Sequence, residues 1–177
     1  MLIYNFLEDI KAPTPTAVAL GFFDALHLGH KEVLSKVIGS ELLPAVFTFS
    51  AKNGKNGKET ILCEEEKRNI LKEMGIKLYF SPDFDSFKAM DGDEFVSTVL
   101  KKALNARLVV CGEDFRFGKD RKWSVKELFR LCEQNGMELI VVPLKKEGGE
   151  KISTTKIREL LEKGDVSSAQ RLIGRQI

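Results

Sequence analysis

Residues 21–30 are Gly21-Phe22-Phe23-Asp24-Ala25-Leu26-His27-Leu28-Gly29-His30, and they contain both histidines of the chain. The apolar run Ala17–Leu20 comes directly before them and predicts a buried strand. The run Lys31–Ile38 comes directly after them and predicts a helix. The stretch is therefore predicted to be a strand end, a turn that carries glycine, and a helix start with two histidines on its first turn.

A helix start of this kind is suited to binding phosphate. Its first backbone N–H groups have no partner within the helix, and they carry about half a unit of positive charge. His27 and His30 are three positions apart and project from one face. Gly29 between them lets a ligand approach the backbone closely. The stretch thus fits a site that holds the phosphates of a nucleotide and stabilises charge during a transfer.

Two other interpretations of the histidine pair stay open. The pair could be structural, or it could be half of a zinc site. Zinc would need further ligands, and the chain has no third histidine, while its three cysteines are scattered at Cys63, Cys111 and Cys132. Phosphate binding is therefore the preferred interpretation, and no residue is assigned to a metal.

Strands and helices alternate along the whole chain. The predicted strands are Met1–Tyr4 (an edge strand), Ala17–Phe23, Pro44–Phe49, Ile76–Phe80, Arg107–Cys111 and Glu138–Val142. The predicted helices are Lys31–Ile38, Cys63–Met74, Asp91–Ala103, Val125–Asn135, Thr155–Leu161 and Val166–Ile173. Residues 50–58, with two Asn-Gly pairs, are predicted to be a mobile loop. This order predicts an α/β fold, with a Rossmann-like doubly wound parallel sheet and helices on both faces, in one domain over residues 1–177.

Composition limits the cellular location and the classes of binding partner that are expected for this chain. The chain has 28 Lys and Arg against 26 Asp and Glu, which is too balanced to argue for a nucleic-acid partner. No apolar run approaches the ~20 residues that span a bilayer, so no membrane association is expected. The first residues lack the pattern of a signal peptide. The odd number of cysteines indicates reduced thiols and a cytoplasmic location.

A second candidate stretch, Gly112–Arg121, follows the predicted strand Arg107–Cys111. Asp114 can accept hydrogen bonds, Phe115 and Phe117 can stack on a ring, and Arg121 can meet phosphate. The phenylalanines could instead anchor the loop to the core. Because Gly21 and Gly112 both follow parallel strands, both turns are expected at the same edge of the sheet, around one pocket.

A third stretch, Ile152–Arg158, places Ser153, Thr154 and Thr155 at a predicted helix start, followed by Lys156 and Arg158. The hydroxyls can cap the helix, bind phosphate, or do both. Thr48 and Phe49 lie at the end of another predicted strand, and on their own they indicate little.

The segments Gly21–His30, Gly112–Gly118 and Ile152–Arg158 resemble, in that order and spacing, the FAD synthetase module of bacterial bifunctional riboflavin kinase/FMN adenylyltransferases. The tail Leu160–Arg175 is similar to the end of that module, so the resemblance covers nearly the whole chain. The His27-Leu28-Gly29-His30 pattern is shared with many nucleotidyltransferases and with class I tRNA synthetases. The other two segments are much more specific to the flavin branch.

The resemblance implies a fold of the nucleotidyltransferase type and adenylyl transfer from ATP to FMN, giving FAD and pyrophosphate with Mg²⁺. It implies catalytic roles for His27, His30, Asp114 and Arg158. It implies nucleotide binding by Gly21, Phe22, Asp24, Gly29, Gly112, Ser153, Thr154 and Thr155. It implies flavin binding by Thr48, Phe49, Phe115, Phe117 and Arg121.

The sequence also departs from the family. Ala25 stands where a glycine is usual, and Trp123 stands near another usual glycine. Ser50-Ala51-Lys52-Asn53 follows Thr48-Phe49 where Asp-Pro-His-Pro is common. The riboflavin kinase half is absent, which leaves room for a separate riboflavin kinase as a partner. The altered loop keeps two alternatives open: a related nucleotidyltransferase for another small phosphate, and a non-catalytic protein that binds a flavin or a nucleotide.

Overall fold

The computed structural model describes residues 1–6, 11–49 and 60–177. In this part of the chain, six parallel strands form the main sheet: β1 (Leu2–Tyr4), β2 (Thr16–Leu20), β3 (Leu43–Phe47), β4 (Leu78–Phe80), β5 (Ala106–Gly112) and β6 (Glu138–Val142). A short antiparallel hairpin follows, made of β7 (Lys146–Glu147) and β8 (Glu150–Lys151). The sequence predicted all six sheet strands, with slightly different ends, but not this hairpin.

Helices connect the strands. They are α1 (Leu28–Ile38), α2 (Glu64–Glu73), α3 (Gly92–Glu94, continuing as a π-helix over Phe95–Ala103), α4 (Val125–Gln134), α5 (Thr154–Glu162) and α6 (Val166–Ile173). Each of these corresponds to a helix predicted from the sequence. Single 3₁₀ turns lie at Phe84–Ser86 and Lys119–Arg121. The predicted loop at residues 50–58 lies outside the described residues.

The spatial order of the strands is β1-β4-β3-β2-β5-β6. From β2 the chain adds β3 and then β4 on one side, and it later crosses back to place β5 on the other side of β2. The order therefore reverses between β2 and β5, and ligands of open parallel sheets bind beyond the strand ends at this kind of switch point. Gly21 directly follows β2, and Gly112 is the last residue of β5.

Both faces of the sheet are covered, which confirms the doubly wound fold. Every residue of β2 is buried. Val18 and Leu20 belong to the core that contains apolar residues of α3 and α4, whereas Ala17 and Ala19 belong to the core that contains apolar residues of α1 and α2. A third apolar cluster holds α5 and α6 together beside Ala25. The continuous apolar runs of the sequence follow from this burial on two sides.

Candidate active site

A cavity of about 1110 Å³ opens at the switch point. Its walls come from the turn after β2, the start of α1, the loop after β5, the segment between β6 and β8, and the start of α5. The structure brings almost all of the predicted site residues to this cavity: Gly21, Phe22, Asp24, His27, Gly29, His30, Phe49, Gly112, Asp114, Phe115, Phe117, Arg121, Ser153, Thr154, Thr155 and Arg158. Their individual roles stay predictions, but three distant segments do meet in one place.

Thr48 is the one predicted site residue that does not line the cavity. Its side chain is fully buried, and its hydroxyl donates to the carbonyl oxygen of Phe22 at 3.0 Å. In this conformation Thr48 lies beneath the cavity wall and holds the Gly21–Phe22 turn. The neighbouring Ser50–Asn53 segment lies outside the described residues.

His27 is the N-cap of α1, one position before the helix begins. Its Nδ1 accepts a hydrogen bond from the backbone N–H of His30 at 3.2 Å. Burial is the main reason why the pKa of His27 is lowered from 6.5 to about 4. Among the smaller influences, a hydrogen bond with the backbone of His27 itself raises this pKa, Lys151 lowers it, and Asp114 raises it. The ring is therefore neutral at pH 7. Because Nδ1 is an acceptor, the proton lies on Nε2, which is then a hydrogen-bond donor.

The two imidazole rings lie parallel at the mouth of α1. Their centroids are 3.6 Å apart and their planes differ by 13°, while His30 also contacts the edge of Phe23. The predicted pairing on one face is thus present as a ring stack. A Cβ atom added at Gly29 would lie 3.2 Å from the His27 ring, so the absent side chain at this position makes room for the histidine itself as well as for a ligand.

The turn that carries the site has an unusual backbone. Phe23 and Leu26 have left-handed φ values of 53° and 48°, and both side chains are buried. Such backbone costs about 1–3 kcal/mol per residue and is concentrated at functional sites. The Phe23 ring folds back over Gly21, where an added Cβ atom would lie 2.9 Å from the ring. The strand predicted to reach Phe23 therefore ends at Leu20.

Asp24 and Arg158 form an ion pair within the cavity wall. Arg158 Nη2 lies 3.2 Å from Asp24 Oδ2, and the backbone N–H of Ile61 donates to Asp24 Oδ1 at 2.8 Å. Only 3% of the Asp24 side chain and 19% of the Arg158 side chain are exposed. Both residues were predicted to belong to the site, but no sequence pattern indicated that they contact each other.

The loop after β5 approaches the hairpin. Lys151 Nζ lies 2.5 Å from Asp114 Oδ2, and the Leu144 backbone N–H donates to the carboxylate of Glu113 at 2.9 Å. Lys145, which also lines the cavity, lies 3.4 Å from Glu32 of α1. Lys145 and Lys151 were not predicted, because they belong to a charged stretch in which no motif distinguishes them from Lys146, Glu147 and Glu150. The Gly148-Gly149 pair, in which both residues have positive φ, was the one local signal for the hairpin that brings Lys151 to the cavity.

The N-terminus of α5 is the second helix start at the cavity. The Ser153 hydroxyl caps this helix by accepting from the Lys156 backbone N–H at 3.3 Å. Thr154 and Thr155 form the first turn and line the cavity. With α1, the cavity therefore has two helix starts, each with N–H groups and a positive dipole end available to an anion.

Aromatic rings cover another wall of the cavity. Phe49 lies 4.9 Å from Phe22 and 5.0 Å from Phe84, measured between ring centroids. The contacts continue through Phe87 and Phe95 to Phe117, which lies 5.9 Å from Phe115 in a stacked arrangement. The sequence indicated Phe49, Phe115 and Phe117, but Phe84, Phe87 and Phe95 were missed because they lie on other elements. The wall offers a flat apolar group a large surface.

Two further observations concern the described residues. They contain no group of three or more His, Cys, Asp or Glu side chains arranged to hold a metal ion. None of their helices combines the length and the apolar character needed to cross a membrane.

The fold and the site together define an α/β protein of the nucleotidyltransferase type, with a histidine-bearing helix start at the switch point of a parallel sheet. A family model described as FAD synthetase matches residues 9–156, and the chain belongs to this family.

Known proteins of similar sequence carry corresponding names. A bifunctional riboflavin kinase/FMN adenylyltransferase of Buchnera aphidicola is 28% identical over 93% of this chain and 56% of its own length. An FAD synthetase of Listeria monocytogenes is 28% identical over 95% of this chain and 72% of its own length. The chain spans about half the length of the bifunctional relatives from Buchnera aphidicola, Listeria monocytogenes and Bacillus subtilis, whereas it covers 97% of a putative bifunctional relative from Geobacillus thermodenitrificans.

Solved structures agree on the fold. The crystal structure of a protein described as a macrolide-efflux protein from Streptococcus pneumoniae has a TM-score of 0.86 and 29% identity, and the match covers 98% of this chain and 61% of that one. A pantoate-beta-alanine ligase of Francisella tularensis matches with a TM-score of 0.61 at 13% identity, over 97% of this chain and 86% of that one. The second likeness concerns the fold alone.

Proposed function

We propose that this chain transfers the adenylyl group of ATP to FMN and produces FAD and pyrophosphate. One observation carries the proposal: a chain of the FAD synthetase family has two helix starts and a wall of phenylalanine rings around one cavity. Two helix starts suit two substrates that both carry phosphate. The aromatic wall suits a flat ring system such as a flavin.

The reaction needs a direct in-line displacement. A phosphate oxygen of FMN attacks the α-phosphorus of ATP, the new P–O bond forms, and the bond to the β-phosphate oxygen breaks, so that pyrophosphate leaves with that electron pair. No side chain has to form a bond to the substrate. Catalysis then consists of positioning and of stabilising the charge that develops.

The residues of the cavity can share this work. The neutral His27 ring can donate from Nε2 to a phosphate oxygen without being ionised, because its proton is fixed there by the hydrogen bond to Nδ1. Arg158, on α5, and Lys151, the last residue of the hairpin, both line the cavity and supply positive charge. Ser153, Thr154 and Thr155 supply hydroxyls and the backbone N–H groups of a helix start. Phe49, Phe115 and Phe117 supply ring faces for the flavin.

Mg²⁺ fits this site only together with the nucleotide. The described residues form no cluster of three protein ligands, and the buried carboxylate of Asp24 is already engaged by Arg158 and Ile61. Asp114, which pairs with Lys151, and Asp120 are the more exposed carboxylates at the cavity that could serve as protein ligands. We propose that the phosphates and water provide most of the coordination, as is common for Mg²⁺, and that the ion neutralises phosphate charge.

The same proposal extends to the organisation and setting of the protein. We propose that residues 1–177 form one nucleotidyltransferase domain and that a riboflavin kinase, the second activity in the names of the bifunctional relatives, supplies FMN. A cytoplasmic location is supported by Cys63, Cys111 and Cys132, which are all free thiols.

The test is incubation with ATP, Mg²⁺ and FMN, followed by chromatography for FAD and an assay for pyrophosphate. FAD and pyrophosphate in equal amounts support the proposal. Tight flavin binding without either product would instead identify a non-catalytic binding protein. Turnover of ATP with another small phosphate, and none with FMN, would identify a related nucleotidyltransferase.

A further inference from the structure

The carboxylate of Asp24 is the most deeply buried acidic group at the cavity, with 3% of its side chain exposed. Its two oxygen atoms have different protein partners: the Ile61 backbone N–H at Oδ1 and the Arg158 guanidinium at Oδ2. A carboxylate that is engaged on both oxygens and screened from solvent is poorly placed to contact a substrate. Any effect of Asp24 on substrate binding must therefore be indirect, through Ile61 or Arg158.

Arg158 is the partner that the substrate can reach. Its side chain lies in the cavity wall near the start of α5, with 19% exposed. A guanidinium has five N–H donors in a planar fork, and the contact with Asp24 uses Nη2. The remaining donors can bind phosphate while Asp24 holds one edge of the fork. An arginine without such a partner would lose much rotamer freedom when it bound a ligand.

The local backbone supports the same role for Asp24. Left-handed residues, Phe23 and Leu26, stand on either side of the Asp24-Ala25 pair, and the Ile61 hydrogen bond joins this turn to the segment before α2. Buried ion pairs contribute little net stability because both charges have to leave water. A pair of this kind at a cavity is therefore better explained by positioning than by stabilisation of the fold.

We propose that Asp24 is a positioning residue, which fixes the Arg158 guanidinium in the orientation that receives the phosphates and does not itself contact substrate. The proposal rests on the proposed adenylyl transfer only for the identity of the substrates. The positioning role itself is argued from the Asp24–Arg158 ion pair and the Ile61 hydrogen bond.

A double-mutant cycle tests the proposal. Asp24→Asn keeps an acceptor for Ile61 but removes the charge, and Arg158→Gln removes the guanidinium. We expect each single variant to lower kcat by up to roughly 100-fold, since small misplacements of a charge-stabilising group have effects of this size. We expect the double variant to be no slower than Arg158→Gln alone, because Asp24 has no further target. Effects that multiply in the double variant would show that Asp24 acts on the substrate directly and would overturn the proposal.

The exposed pair Glu150–Lys156 provides the matched control, because it also holds a residue of α5 to a carboxylate, at 2.7 Å. Glu150→Gln should leave kcat and both KM values within about 2-fold, as expected for an exposed pair. Thermal unfolding of every variant shows whether it is folded. If Asp24→Asn does not fold, Asp24→Glu replaces it: a displaced carboxylate should still lower kcat in the Arg158 protein and have no effect in the Arg158→Gln protein.

ATP affinity measured by calorimetry separates this proposal from the proposed function. Without any turnover of FMN, Asp24→Asn and Arg158→Gln should still weaken ATP binding non-additively. Additive losses of affinity would overturn the positioning role. A wild-type protein that forms no FAD but shows the non-additive losses would leave the positioning role supported while the adenylyl transfer to FMN fails.

Discussion

His27 should make the folded chain less stable in mild acid, and a single substitution should reveal how much. The folded protein holds this imidazole neutral, with a pKa of about 4 against an ordinary value of 6.5, chiefly because the ring is buried. As the pH falls below 6.5, the unfolded chain takes up a proton at His27 and the folded chain does not. Stability is therefore fully present above this pH and is lost progressively as the pH falls toward 4.

The size of the effect follows from the two pKa values. The complete loss from this one group, below pH 4, amounts to about 3 kcal/mol. Over the accessible interval from about pH 7.5 to about pH 5, the loss amounts to about 2 kcal/mol. The ring is only 6% exposed, so solvent screening reduces this figure little. Carboxylates titrate mainly below this interval, which leaves the histidines as the groups that dominate it.

Urea unfolding of the wild type and of His27→Asn at about pH 7.5 and about pH 5 measures the effect. Asn is a good N-cap whose Oδ1 can accept from the His30 N–H, so the helix start is retained while the titrating group is lost. We expect the substitution to reduce the loss of unfolding free energy between the two pH values by about 2 kcal/mol. Any change in baseline stability cancels, because only the difference between the two pH values is compared. An equal loss in both proteins would mean that the folded chain protonates His27 readily, and it would refute the neutral ring.

The remaining predictions concern activity and packing. His27→Ala and His27→Asn should both lower kcat by roughly 10²–10³-fold, since both remove the Nε2 donor, and an active Asn variant in a steady-state assay would reduce His27 to a helix cap. Lys151→Met should raise the KM for ATP several-fold, whereas the control Lys146→Met, on the same hairpin, should not. If the two variants have equal KM values for ATP, Lys151 does not contribute to the site. Gly92→Ala should destabilise the fold by about 1–3 kcal/mol, although alanine normally favours a helix, because its Cβ would overlap the Trp123 ring. Chemical unfolding checks this sign, and a stabilised variant would contradict it.

The order of the secondary structure could be predicted because the sheet is covered on both faces. Strands such as β2 and β5 then become buried apolar runs. The helices have recognisable caps: α4, between β5 and β6, begins after the N-cap Ser124, and α6 has the predicted bounds, with Asp165 as its N-cap. The ends of elements were less predictable. The strand predicted over Ala17–Phe23 stops at Leu20 because Phe23 has a left-handed backbone and folds over Gly21, and no local pattern indicates such a turn.

The parts of the candidate site whose residues are neighbours in sequence could be predicted. Contacts between residues that are far apart in sequence could not. The histidine pair and the α5 hydroxyls stand at helix starts, so their segments reveal them. The ion pair of Asp24 with Arg158 joins positions 134 apart, and that of Asp114 with Lys151 joins positions 37 apart. Such contacts depend on the strand order, which places β2 next to β5. The hydrogen bond from the Thr48 hydroxyl to the Phe22 carbonyl oxygen likewise joins residues of two different strand ends.

The charged side chains are unevenly distributed, with an excess of positive charge at the cavity that the overall composition does not show. The net charge of +2 indicates a nearly neutral chain. At the cavity, however, the charged residues are Asp24, Asp114 and Asp120 against Lys88, Arg116, Lys119, Arg121, Lys145, Lys151 and Arg158. Asp24 and Asp114 are each paired with one of these cations, and two helix starts add further positive potential. A cleft with this excess attracts anions and raises their local concentration, so a nearly neutral chain can still favour two phosphate-bearing substrates.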